Sequence, residues 1–408
     1  MKKVELLAPA GDLEKLKIAV MYGADAVYFG GEHFSLRAGA GNFTLDEMKE
    51  GIAFCHERGV KCHMALNIFA HNEDIGPFTE YLRSVKDLGI DAFIAADPGV
   101  IDMIWEVMPD AEVHLSTQAN MTNYRTAKFW HDRGIRRLVM ARELTLEEIR
   151  EMQKNIPPDM ELEAFVHGAM CISYSGRCLL SNFMIERDAN RGMCAHPCRW
   201  KYALVEQQRP GEYYPVEEDD RGTYIMNSKD LCLIEHLPQL IDAGISSFKI
   251  EGRMKSVFYV ATVVSAYRKA IDSYFKDPQS YSFRQQWMED LCKASHREFT
   301  TGFYFHKPDN LDQNYRTSDY TRDYSFVGIV KSYDPDTGYA KVEQRNKMVL
   351  GDRVEVFGPM TDFFEQEISE MYDEEGEAIS SAPHPQQIIK IKMEKPVEPF
   401  FMLRKKKE

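Results

Sequence analysis

The chain has 408 residues, 44% hydrophobic and 12% aromatic, and its 50 Lys and Arg face 64 Asp and Glu for a formal net charge of −14. This length and apolar content suit one large domain plus a smaller one and exclude a disordered or low-complexity chain. The acidity excludes a surface that binds nucleic acid indiscriminately, though not a local basic patch.

The opening segment, interrupted by Glu5 and Pro9, does not read as a signal peptide, and no apolar run approaches bilayer length. A cytoplasmic location without membrane contact is therefore expected. There the eight cysteines serve as thiols, metal ligands or catalysts rather than disulfides.

Over the first 145 residues, apolar runs alternate with amphipathic helices. Strands are expected at Val4–Ala8, Ala26–Gly30, Lys61–Asn67, Asp91–Asp97, Glu112–Gln118 and Arg136–Glu143. Helical patterns lie between them, among them Leu13–Tyr22, Leu45–Arg58, Phe78–Leu88 and Thr126–Arg133, and several stop at Gly23, Gly59, Gly89 or Gly134. Glu161–His167 supplies a seventh strand and Ser246–Glu251 an eighth, followed by a helix from Phe258 to Tyr274. Repeated βα units of this number fit a (β/α)8 TIM-type barrel better than an open doubly wound sheet. No G-x-G-x-x-G follows the first strand, where Pro9-Ala-Gly-Asp12 stands instead.

The expected organisation is a barrel domain over residues 1–275, a helical connector over 276–319 and a small C-terminal β-barrel over 320–408. The segment 168–245 is an insertion after strand seven, with a hairpin pairing Lys201–Glu206 with Thr223–Asn227 and a helix over Leu231–Ala243. In the C-terminal part Phe326–Ser332, Tyr339–Gln344, Arg353–Phe357 and Ile388–Met393 read as strands. Two basic clusters stand out, Arg133 with Arg136 and Arg137, and Arg404 to Lys407.

Four cysteines sit inside 28 residues of the insertion: Cys171, Cys178, Cys194 and Cys198, spaced C-x6-C-x15-C-x3-C. Four thiolates suit zinc or an iron–sulfur cluster. Structural zinc draws ligands in pairs two to four residues apart, whereas Cys171 and Cys178 are wider, which favours a larger cluster such as 4Fe–4S. Zinc and free thiols remain alternatives on spacing alone. Cys232 is a possible fifth thiol, at the start of the helix expected there.

Polar residues crowd the expected C-terminal strand ends: Asn67, Asp97, Gln118, Arg142, Glu143, Glu163, His167, Lys249, Glu251 and Arg253. Lys249 and Glu251 could form an internal ion-pair network, while Arg142, Lys249 and Arg253 could clamp a carboxylate-bearing ligand. A hydrolase would need an activated nucleophile, but neither G-x-S-x-G nor H-E-x-x-H is present.

The segment from Glu163 to Ser181 fills every constrained position of E-x-F-x-x-G-[SA]-[LIVM]-C-x4-G-x-C-x-[LIVM]-S. In that, and in Leu6-Leu-Ala-Pro-Ala-Gly11, Gly23-Ala-Asp-Ala-Val-Tyr28, Met226-Asn-Ser-Lys-Asp230 and Phe248-Lys-Ile-Glu-Gly-Arg253, the chain resembles the collagenase-like peptidase family U32 over nearly its whole length. Some members carry a protease label. The better-understood members are oxygen-independent hydroxylases holding a 4Fe–4S cluster and acting on tRNA wobble uridine, on ribosomal RNA or on ubiquinone precursors.

The resemblance thus implies tRNA as partner, prephenate as co-substrate and hydroxyl donor, 5-hydroxylation of wobble uridine as activity, and Cys171, Cys178, Cys194 and Cys198 as cluster ligands. Collagenase-like peptidase activity is the alternative, and a zinc-stabilised RNA-binding scaffold a third reading. The expected catalytic set is Glu163, His167, Lys249 and Glu251, with Arg142, Arg253, Gln118 and Asn67 binding substrate. A paralogous chain or a second copy of this one is the further partner to test for.

Overall fold

The computed structural model describes residues 3–35, 42–171, 173–174, 178–187, 189, 192–199, 203–204, 214–215, 229–306 and 320–407. Strands β1 (Glu5–Pro9), β2 (Ala26–Phe29), β3 (Lys61–Ala65), β4 (Ala92–Ala95), β5 (Val113–Leu115), β6 (Arg137–Val139) and β7 (Glu161–Ala169) pair in parallel, each with the next in sequence. A short strand β8 (Asp230–Cys232) runs antiparallel to β7. Then β9 (Ile245–Ile250) pairs in parallel with both β7 and β1 and closes the barrel. The expected TIM-type barrel is therefore present, extended beside β7 by β8 and by β10 (Phe299–Thr300).

The helices between strands begin where the side chains provide caps. Thr44 and Glu47 form a capping box at α2 (Leu45–His56), as Thr145 and Glu148 do at Leu146–Asn155. The expected helix-ending glycines, Gly23, Gly59, Gly89 and Gly134, all have positive φ, between 69° and 103°.

The barrel interior is unusually polar. Inward positions carry Glu5, His63, His114, Arg137, Glu163, Ser247 and Lys249, all but Glu5 buried, and apolar filling comes from a small cluster of Leu7, Ala26, Tyr28 and Ile94. The main hydrophobic core lies outside the strands, against the helices.

Two expectations around the insertion are corrected. Residues 231–243 are not one helix: Cys232 ends strand β8, a 3-10 turn covers Ile234–His236, and the helix is only Leu237–Asp242. The connector is not purely helical either, because after the helix Gln285–Lys293 it adds β10 to the barrel sheet. In the expected hairpin, Ala203–Leu204 pairs with Tyr214–Pro215; the partner segment Thr223–Asn227 lies outside the described residues.

The C-terminal part is an antiparallel half-barrel. Its strands β11 (Tyr324–Asp334), β12 (Tyr339–Gln344), β13 (Arg353–Phe357), β14 (Phe364–Glu367), β15 (Met371–Tyr372), β16 (Ile388–Lys392) and β17 (Met402–Lys406) lie in the order β14-β13-β17-β11-β12-β16-β15. It docks on the 20-residue helix Val257–Lys276: Phe258 stacks on Phe326 at 5.8 Å, and Tyr22 donates its hydroxyl to the Phe400 carbonyl at 2.9 Å.

Arg404 is the centre of this junction and only 2% exposed. Its guanidinium donates to Glu355 at 2.7 Å and Asp290 at 3.0 Å and lies 4.5 Å from the Phe357 ring centre; Lys293 also reaches Glu355, at 2.8 Å. The basic C-terminal run is thus no free tail: Arg404 sits inside, and Lys405 pairs with Asp352 at 2.8 Å.

Removing one member of a buried, hydrogen-bonded charge cluster leaves the others uncompensated. Arg404→Ala is expected to lower the unfolding free energy by about 3–5 kcal/mol, measured by urea denaturation. A loss below about 1 kcal/mol, the value of an exposed pair, would show that the junction does not depend on this residue.

Candidate functional site

The C-terminal ends of the barrel strands open into a cavity of about 830 Å³. Active sites of this architecture lie at that end. Its walls include Tyr28, Asn67, Gln118, Arg142, Phe165, Lys249, Glu251 and Arg253, together with Cys171, Cys178, Cys194 and Cys198. Cys171, Cys178, Cys194 and Cys198 therefore face one space. None is in a disulfide. Cys171 is exposed and the other three are half-buried.

The donor set fits a four-thiolate site: four cysteines outside any disulfide line one cavity and none of them is fully buried, in contrast with the buried Cys55, Cys62 and Cys232. The two cysteine-bearing stretches are tied together, because the Ala195 amide donates to the buried Ser181 Oγ at 3.2 Å. Cys232 lies away from this space, 6% exposed, and burial pushes its thiol up to about 12, so it is a packing residue. A second group, His56, Cys62 and Asp91, brings its donor atoms within 4.8 Å of one another. Asp91 there receives the Cys62 amide at 2.7 Å and contacts His56 at 3.0 Å, while the Cys62 thiol is raised by its hydrogen bond with Cys55 and by burial.

Beneath the cavity floor is a column of charge. Lys249 donates to Glu163 Oε1 at 2.7 Å; the other Glu163 oxygen faces Arg137 at 3.6 Å, and Arg137 reaches Glu161 at 2.7 Å and also binds Glu5. Burial would push the Glu163 carboxyl up, but Lys249, Arg137 and His114 together hold it below the usual carboxylate range. Next to it, His63 and His114 meet edge to face at 4.7 Å, and burial with neighbouring cations keeps His63 neutral.

Lys249 thus presents a fixed charge at the floor, 4.6 Å from the Tyr28 ring centre. Above it, Arg142 lies 3.9 Å from the Phe165 ring centre, donates to the Ala169 carbonyl at 3.4 Å and faces Glu251 at 3.7 Å. Arg253 donates to Ser35 Oγ at 3.4 Å. Gln118 is 3% exposed; its carbonyl oxygen accepts from Ser116 Oγ at 3.4 Å, and its amide nitrogen has no hydrogen-bond partner among the described residues. A buried unpaired amide costs free energy, which a ligand in the cavity would recover.

The glycines of the sequence motifs permit this closeness. A Cβ on Gly168, at φ +109°, would stand 2.5 Å from the Glu251 carbonyl oxygen, and one on Gly11 would stand 2.0 Å from that of Arg253.

Of the expected catalytic set, Lys249 and Glu251 line the cavity and Glu163 lies beneath it. His167 does not reach it. A register shift between β7 and β9 pairs Lys249 with Phe165 but Ile250 with His167, so an extra residue intervenes and His167 turns outward. There it packs against Tyr267, Phe299 and Tyr259, with Nδ1 3.5 Å from the Tyr267 hydroxyl that donates to the Val166 carbonyl, and is held down to about 3 by burial. All four expected substrate-binding residues line the cavity. The expected binding set did not include Tyr320, Arg322 or Lys407, the last known only as part of a basic cluster, which the C-terminal half-barrel and its approach bring to the same rim. No short-range signal links residues so far apart in sequence.

Among the described residues, the cavity wall holds six Lys and Arg (Arg142, Lys249, Arg253, Lys255, Arg322 and Lys407) and one acid, Glu251, in a chain whose net charge is −14. The other basic cluster, Arg133 with Arg136 and Arg137, lines a hollow with Glu5 and Glu161 at the strand starts, the opposite end of the barrel.

Lys249→Met would strand Glu163 with Arg137 alone and cost about 3–5 kcal/mol at neutral pH. In the wild type the depressed carboxyl contributes stability above its unfolded pKa of about 4.3, lost as pH falls through the lower folded value. In the variant Glu163 is raised instead, so protonation relieves it. Urea titrations from pH 7 to pH 4 should therefore show the difference shrinking with acidity, and a pH-independent difference would contradict the pairing.

Comparison with known proteins gives a consistent result. The model of peptidase family U32 matches residues 11–314, and that of the peptidase family U32 C-terminal domain matches residues 322–404. The chain is 46% identical to tRNA hydroxylation protein P1 of Bacillus subtilis, covering 100% of this chain and 96% of that protein. It is 38% identical to tRNA hydroxylation protein P of Escherichia coli, over 94% and 92% of the two chains. It is also 33% identical to a collagenase of Porphyromonas gingivalis, over 90% and 89%.

Proposed function

The chain belongs to peptidase family U32, and from that membership we propose that it is an iron–sulfur tRNA-modifying enzyme that hydroxylates wobble uridine at carbon 5 in a prephenate-dependent reaction. The observation that carries this reading is the convergence of four cysteines outside any disulfide and six cations on one cavity. The tRNA hydroxylation proteins similar to the chain over nearly its full length support the choice of substrate.

Cys171, Cys178, Cys194 and Cys198 would hold a 4Fe–4S cluster, which when bound supplies one-electron chemistry at the mouth. The remaining roles fall to the cavity wall. Arg142 and Arg253 would grip the two carboxylates of prephenate, since guanidinium groups pair bidentately with carboxylates. Lys249, held by its hydrogen bond to Glu163, places its amino group at the floor. Glu251 orients Arg142. The carboxamides of Gln118 and Asn67 offer the donor and acceptor pairs that a uracil edge requires. His167 braces the end of β7 from outside, which makes it a positioning residue.

Peptide hydrolysis, the alternative, needs a nucleophile beside a base. Ser181 at the wall is fully buried and its oxygen is engaged by the Ala195 amide, while His167 is turned away. A zinc-stabilised scaffold would use the same four thiolates without redox chemistry, so metal analysis separates it.

Purified without oxygen, the protein is expected to contain iron and sulfide and to add one oxygen atom to uridine in an unmodified tRNA transcript when prephenate is supplied, read by mass spectrometry of nucleosides. Cys194→Ala should lose both the iron and the activity, and Cys62→Ala should keep both, because a three-thiolate site holds metal less securely. Stoichiometric zinc in place of iron, or cleavage of collagen-like peptides that persists after full chelation, would overturn this reading.

A further inference from the structure

We propose that the rim of the cavity, formed by Lys255, Arg322 and Lys407 around Tyr320, docks the phosphate backbone of a single-stranded RNA loop, apart from the deeper cations that face a small anion; the inference rests on the tRNA reading above. The rim is assembled from three distant pieces of chain. Lys255 follows β9, Tyr320 and Arg322 lie just before β11, and Lys407 follows β17.

Backbone bonds hold these pieces in place. The Thr321 amide donates to the His296 carbonyl at 2.8 Å and the His296 amide to that of Thr321 at 3.3 Å, while the Lys407 amide donates to the Asp323 carbonyl at 2.8 Å. The Tyr320 ring then gathers charge: Lys255 lies 4.1 Å, Arg297 4.5 Å and Arg322 5.9 Å from its centre. The negative face of an aromatic ring lets cations collect where they would otherwise repel one another.

The rim differs from the deeper cations in how its charge is compensated. Lys249 is neutralised by Glu163, and Arg142 faces Glu251. Among the described residues, Lys255, Arg322 and Lys407 pair with no carboxylate. Elsewhere exposed cations find acids readily, as with Lys3 and Asp272, Arg83 and Glu80, or Arg136 and Asp159. In so acidic a chain, three uncompensated cations at one mouth leave a local positive surface. That surface matches a polyanion, and its position beside the cavity matches a backbone whose neighbouring base enters the site.

Binding of an unmodified tRNA transcript, measured from low to moderate salt, tests the assignment. The double variant Arg322→Gln/Lys407→Gln should bind more weakly and with a shallower dependence of log K on log salt, by about 1.4 if each contact to a single strand contributes about 0.7. Its iron content and unfolding midpoint should stay at wild-type values, since both side chains are exposed. Arg133→Gln/Arg136→Gln, at the opposite end of the barrel, should leave both affinity and slope unchanged. If the rim variant keeps the wild-type slope, or the opposite-end variant loses as much, the rim is not the docking site while the tRNA reading stands. A wild-type protein that binds no tRNA would overturn both.

Discussion

The ion pair between Glu163 and Lys249 joins the two strands that close the barrel, and the site above depends on it. Both side chains are almost wholly withdrawn from water, where an unpaired charge would cost several kcal/mol. Each therefore holds the other in place, and Lys249 is fixed at the cavity floor. Along β7 the same strand then places Phe165 under Arg142, narrows to Gly168 where the Glu251 carbonyl passes, and delivers Cys171 to the mouth. Glu163, Phe165, Gly168 and Cys171 thus each have a distinct place, from interior charge to cavity mouth.

Much of this architecture is legible in the sequence because local and global signals agree. The alternation of strand and helix, the capping residues and the helix-ending glycines all mark the barrel, and strands such as Tyr339–Gln344 and Arg353–Phe357 coincide with their expected bounds. The convergence of the cysteines with Arg142, Lys249 and Arg253 follows once the strand ends are placed.

What is not legible depends on register or on long-range contact. Counting by twos from Glu163 and Phe165 puts His167 in the cavity, but one extra residue in the β7 register puts it among aromatic rings instead. A run of Arg404 and three lysines looks like a solvated tail, yet it forms part of a strand next to the middle of the sheet, with Arg404 satisfied by Glu355 and Asp290 from distant segments. Cys232 belongs to a three-residue strand too short to carry a pattern. The rim residues Tyr320, Arg322 and Lys407 meet Lys255 only after the half-barrel docks.

The charge distribution links these features to function. A surface with net charge −14 repels nucleic acid in general, so a cationic mouth confines an anionic partner to the place where the thiols and the floor lysine stand. The most direct test compares tRNA nucleosides from cells with the gene, cells without it, and cells without it that carry the Cys194→Ala form. The account predicts 5-hydroxyuridine and its derivatives in the first sample and their loss from the other two. Identical nucleoside profiles in all three would contradict it.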